Sequence, residues 1–114
     1  MKLIINVHID NKNNNLVNIL FDDKIRKISE KDINISNCEI IDLKGKLLIP
    51  GCIDAHVHFN DPGYNHHEDF ISGTTAAAFG GITTIIDMPC TSIPPVTNVK
   101  NFRHKLEIVQ PKAL

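Results

Sequence analysis

The sequence predicts an α/β chain in two parts: a small antiparallel β domain over residues 1–49, then a strand–helix–strand–helix segment over residues 50–114. Three observations predict it. Leu3, Ile5, Val7 and Ile9 alternate with Lys2, Ile4, Asn6 and His8, the period of two that marks a strand with a buried face. Beyond Pro50-Gly51 the pattern changes to strand-like runs at 53–59 and 82–87 separated by a helical stretch, as in parallel sheets. Gly80 and Gly81 close that stretch, since glycine enters left-handed backbone conformations without a Cβ penalty.

Each element follows in order. After the first strand, the polar run Asn11 to Asn15 supplies turn chemistry. A second strand is expected over Leu16 to Phe21, a third over Lys24 to Ile28 following Asp22 and Asp23, and a short fourth over Glu39 to Asp42. Lys44, Gly45 and Lys46 turn the chain into Leu47, Leu48 and Ile49, and Pro50-Gly51 marks the boundary. Ile53 to Phe59 is the next strand, and Asn60 to Gly63 a loop. Asn65 and Glu68 have the N-cap and N3 residues of a capping box, opening a helix that runs to about Phe79. Gly73, Ala76, Ala77 and Ala78 would let it lie close on the sheet. Ile82 to Asp87, rich in β-branched residues, is the second parallel strand. Pro94 and Pro95 keep the next loop extended, and Thr97 or Asn98 caps a last helix with Val99, Phe102, Leu106 and Val109 on one face.

The formal net charge of −1 carries no basic excess, so nucleic acid and anionic membrane are not expected partners. No apolar run approaches the roughly 20 residues needed to span a bilayer, and the N-terminal stretch is too interrupted for a signal peptide. Cytoplasm is the expected location. Cys38, Cys52 and Cys90 form no Cys-x-x-Cys pair and read as free thiols. Cys52 is expected as a small core residue in its strand. Cys90, after Met88-Pro89, reads as a small buried hydrophobe or a reactive thiol.

The strongest chemical signal is Asp54-Ala55-His56-Val57-His58 at a strand end. Side chains two apart on a strand leave the same face, so both imidazoles can converge on one metal ion. Neutral imidazoles suit zinc, but metal catalysis needs further ligands from elsewhere in a fold. Asp54 leaves on the same face, one pair deeper. It could accept a hydrogen bond and orient a ligand, or be satisfied by nearby backbone or water. His66 and His67 are adjacent, so they should splay apart on solvated surface, while His8 and His104 have no partner spacing. Glu68 and Asp69 fall in the expected first helical turn, where carboxylates offset the helix dipole.

The string Pro50 to Gly63, with Glu68 to Thr74, Ala76 to Thr84 and Asp87-Met88-Pro89, resembles the start of the cyclic amidohydrolases, the group of dihydroorotases, allantoinases and hydantoinases. The resemblance covers essentially the whole chain, residues 1–49 included. It implies that residues 50–114 are the first two βα units of a truncated TIM (β/α)8 barrel, because a closed barrel takes about 250 residues. It also implies that His56 and His58 ligate zinc, in a centre that is binuclear in complete relatives. A bridging lysine, further histidines and a proton-shuttling aspartate then come from later strands. Of that set only the histidine pair is present, so the 114 residues alone are expected to hold no complete catalytic set and no hydrolase activity.

The implied substrate is a small cyclic amide or ureide. Dihydroorotases typically carry arginine and asparagine where this chain has Asn60 and Cys90, the two candidate substrate-binding positions. Losing the guanidinium removes the strongest carboxylate-recognising group. The stretch His56 to Asn60 and Ser92 to Pro95 resemble allantoinases, whereas Glu68 to Gly73 looks more like dihydroorotases. The chain is therefore expected to be the N-terminal fragment of an allantoinase-like hydrolase. The alternatives are a dihydroorotase of pyrimidine biosynthesis, a truncated non-catalytic homologue serving as a structural or partner-binding module, and an unrelated small α/β domain. A homo-oligomer, or the missing remainder of the barrel, is the expected partner.

Overall fold

Four strands come first: β1 (Lys2–Val7), β2 (Val17–Phe21), β3 (Ile25–Ser29) and β4 (Glu39–Asp42). They form one sheet in the order β3-β2-β1-β4. The computed structural model describes residues 1–10 and 14–114, so part of the turn expected over Asn11 to Asn15 lies outside the described residues. β1 pairs antiparallel with β2, and β2 with β3, as the alternation predicts. β4 instead joins β1 in parallel, so the sheet is mixed rather than wholly antiparallel. The reason is the path: residues 30–38 carry the chain from one sheet edge to the other, and a strand that starts after such a return runs in the same sense as β1.

Val7, Val17 and Ile19 make the core of this unit, with Ile4 and Leu43 packed against them. The register between β1 and β2 shifts between Ile4 and Val7. Asn6 takes a positive φ of 56° there, and its side-chain amide donates to Asp42 at 3.0 Å. That short polar side chain makes the left-handed conformation tolerable.

The chain divides into units Met1–Pro50 and Gly51–Leu114. In the second, β5 (Cys52–Val57), α1 (Phe70–Phe79), β6 (Ile82–Asp87) and α2 (Val99–Val109) follow one another. β5 and β6 are parallel neighbours, joined through α1, as a βαβ unit requires. Gly81, at φ 78°, provides the left-handed turn out of α1. Phe59, Phe70 and Val109 form the core, with Val57, Ile85 and Ile108 against it.

Three expectations are corrected. α1 begins at Phe70, not near Asn65, because Asp69 and Ser72 make the capping box. Asn65 is engaged elsewhere, its Oδ1 accepting from the Gly63 N–H at 3.0 Å and its Nδ2 donating to Asp61 at 2.6 Å. Glu68 and Asp69 therefore precede the first helical turn. Cys52 is exposed, since β5 belongs to a two-stranded sheet whose flank is uncovered, as Ile53 (68% exposed) also shows. On α2 only Val109 of the expected apolar face is buried. Phe102 is 51% exposed, whereas Lys105 is 8% exposed, for an electrostatic reason given below.

Candidate functional site

β5 ends at Val57, and His56 and His58 straddle that end. Their Nε2 atoms lie 3.1 Å apart with the rings stacked at 5.1 Å, so both imidazoles face the same side. Both are exposed to solvent. Two nitrogens each about 2.0–2.1 Å from a tetrahedral zinc ion stand about 3.3 Å apart. The observed separation fits two donors of one such ion. No cluster of three or more potential metal ligands occurs among the described residues.

Asp54 lies one pair deeper in β5, and its Oδ1 accepts the backbone N–H of His56 at 3.1 Å. It braces the peptide that carries the first histidine. Asn60 sits just beyond the pair at a positive φ of 53°, its amide donating to the His58 carbonyl at 3.2 Å. Cys90 is exposed in the loop that follows β6, which excludes the buried-hydrophobe reading. His66 and His67 are exposed as expected but do not splay, their rings standing 4.2 Å apart. They occupy a turn rather than a helix, so no helical rotation separates them.

Sequence reasoning missed the groups that hold this segment. Val57 accepts from the Met88 N–H at 2.9 Å, and Phe59 donates its N–H to Asp87 Oδ1 at 3.1 Å. The other oxygen of Asp87 accepts from Lys105, both side chains being 10% exposed. Two residues past Phe59, the carboxylate of Asp61 is fully buried. It accepts from Asn65 at 2.6 Å, from the Phe70 N–H at 3.5 Å and from Lys112 at 2.8 Å. No local spacing announces these pairs: Lys105 lies 18 residues from Asp87, and Lys112, in the turn after α2, lies 51 from Asp61.

Electrostatics elsewhere are local. The backbone N–H of Ser72, followed by its hydroxyl, holds the Asp69 carboxyl below the usual range. The Asn6 amide and then the Lys44 N–H do the same for Asp42, and Arg26 does so for Asp22.

Residues 47–113 match the model of the amidohydrolase family. A dihydroorotase of Methanothermobacter thermautotrophicus is 50% identical over 99 residues, which cover 86% of this chain and 22% of that protein. An allantoinase of Streptomyces avermitilis is 45% identical over 91 residues, covering 79% of this chain and 20% of that one. Among solved structures, the L-hydantoinase (dihydropyrimidinase) of Arthrobacter aurescens is similar with a TM-score of 0.81 at 31% identity, over 94% of this chain and 24% of its own. The chain thus spans about a fifth to a quarter of the length of the proteins it matches.

Proposed function

The chain belongs to the amidohydrolase family, in its cyclic amidohydrolase group, with a β domain and the start of a (β/α)8 barrel, and on that premise we propose that it carries the two-histidine part of a zinc centre that opens a cyclic amide or ureide ring. The observation that carries the reading is the convergence of His56 Nε2 and His58 Nε2 to 3.1 Å on one side of the end of β5. When bound, the metal supplies Lewis-acid polarisation of the ring carbonyl. His56 and His58 hold it, Asp54 braces the His56 peptide, and Asn60 stands where the chain leaves the pair.

The substrate reading is allantoinase-like. Asn60 and Cys90 offer a neutral amide and a thiol in the loops after β5 and β6, which suit an uncharged ureide better than a carboxylate. A dihydroorotase is the second reading, favoured by the 50% identity to the archaeal enzyme. On this reading His56 and His58 supply two of the ligands the centre needs, so turnover by these 114 residues alone is not expected. Ile53 (68% exposed) and Ile86 (51% exposed) support association with further barrel units or with a second copy.

The test is zinc titration of the purified chain followed by the imidazole resonances, with His56→Ala as control, and assay of allantoin and dihydroorotate with zinc added. Weak zinc binding that shifts His56 and His58 and vanishes in the control is expected, without turnover. Zinc binding indifferent to the substitution would overturn the site. Hydrolysis that disappears in the control would overturn the inactivity of the isolated chain and, by which ring opens, decide the substrate.

A further inference from the structure

His58 lies outside β5, yet its two neighbours are both tied to the end of β6. Val57 accepts from Met88 at 2.9 Å on one side, and Phe59 donates to Asp87 at 3.1 Å on the other. A carboxylate that holds one peptide N–H can still swing about its own side-chain torsions. Here Lys105 holds the second oxygen, in surroundings where both side chains are 10% exposed and the ammonium also lies 5.8 Å from the Phe70 ring centroid. An ion pair so placed is costly to form and costly to break, which gives it one geometry.

We propose that Asp87 and Lys105 are positioning residues for the metal site, a relay from α2 through the Asp87 carboxylate to the Phe59 N–H that fixes where His58 presents its imidazole. The proposal rests on the reading of His56 and His58 as metal ligands. Neither relay residue touches the metal or the substrate. Lys105 acts on Asp87, Asp87 on the peptide after His58, and the ring is placed as a result. Groups that orient a ligand from outside the coordination shell typically change metal affinity ten- to a hundredfold when removed. A cavity of about 200 Å3 beside Lys105, lined by Asp87, Phe102 and Leu106 among others, leaves room for a guanidinium.

The experiment uses the full chain and zinc alone, with binding read from the imidazole resonances. Lys105→Met combined with Asp87→Leu replaces the pair by apolar groups of similar size, a change that buried pairs often tolerate in stability, and removes the acceptor of the Phe59 N–H. It is expected to weaken zinc binding about tenfold and to move the His58 ring resonances of the metal-free chain while leaving those of His8 in place. Lys105→Arg, which keeps the cation, is expected to retain wild-type affinity within about twofold. Wild-type zinc affinity in the double variant, with binding lost in His56→Ala, would overturn the relay and leave the site intact. Zinc binding that persists in His56→Ala would instead overturn the site itself. Amide exchange on the unsubstituted chain gives an independent readout: the Phe59 N–H, though outside the strand, is expected to exchange as slowly as the amides of β6. Exchange as fast as in the exposed turn at residues 64–67 would overturn the relay without any variant.

Discussion

Replacing Gly73 by alanine sets two known effects against each other in the middle of α1. Glycine in a helix interior is less favourable than alanine by about 1 kcal/mol, so propensity alone makes Gly73→Ala stabilising. The structure says otherwise. A Cβ at this position would stand 2.3 Å from Phe59 Cε1, 2.5 Å from Cδ1 and 2.8 Å from Cζ. Unbonded carbons prefer about 3.5–4.0 Å, so the ring would have to retreat by about an ångström or more. Phe59 is 6% exposed and packs edge-on against Phe70 at 5.0 Å, which leaves it little room. Overpacking costs about 1–3 kcal/mol, and with three ring atoms overlapped the upper end applies, so the net destabilisation is about 2 kcal/mol.

Urea unfolding followed by the fluorescence of Tyr64, the single tyrosine, reports on this unit. With a denaturant slope of about 1–1.5 kcal/mol per molar, the midpoint should fall by roughly 1.5 M. Ala76→Gly, on the exposed part of the same helix, isolates propensity and should cost about 1 kcal/mol. Adding Phe59→Leu to Gly73→Ala should cost less than the sum of the single changes, since the overlap it relieves is shared. A midpoint for Gly73→Ala at or above that of the parent chain would refute the close approach of α1 to Phe59.

The remaining expectations concern charge. Lys112→Met leaves the fully buried Asp61 carboxylate without its ammonium and should cost about 3 kcal/mol in the same unfolding assay. Lys2→Met, at an ion pair of the first unit with side chains 52% and 59% exposed, should cost under about 1 kcal/mol in urea unfolding followed by far-ultraviolet circular dichroism, and comparable losses at both sites would defeat the argument from burial. Asp69, Asp42 and Asp22 have carboxyls lowered in the folded chain, by Ser72, Asn6 and Arg26 respectively. In the acid range the unfolded chain then binds more protons than the folded one, so this stability is complete above the unfolded carboxyl value of about 3.9 and is lost as pH falls below it. Asp69→Asn keeps a capping side chain but no charge, so its deficit against the parent should be present at pH 6 and shrink towards pH 3. An unchanged deficit at pH 3 would remove the charge from the explanation.

What the sequence made legible is what depends on local spacing. The alternation of residues 2–9 placed β1, the β-branched run placed β6 to the residue, and Gly80-Gly81 placed the end of α1. The sense of β4 was not legible, because it is decided by the path of residues 30–38 across the sheet rather than by anything within Glu39–Asp42. The start of α1 misled for a different reason. Asn65-x-x-Glu68 offers the capping pattern, but the box forms between Asp69 and Ser72 because Asp61 and Gly63 already occupy the Asn65 side chain.

The same logic explains why the histidine pair could be read and its supports could not. Convergence of His56 and His58 needs only the two-residue period of a strand, a local rule. Lys105 and Asp87 are 18 residues apart and Lys112 and Asp61 are 51 apart, so no local pattern joins them. An apolar stripe on α2 suggested that Val99, Phe102 and Leu106 face the core. A buried carboxylate at the end of β6 has a stronger claim on the helix, since an unpaired charge there costs more than an exposed aromatic ring. α2 therefore presents Lys105 inward, and part of its apolar stripe stays in solvent at Phe102 (51% exposed) and Val99 (65% exposed). The orientation of the last helix is thus set by the carboxylate that holds the peptide beside His58.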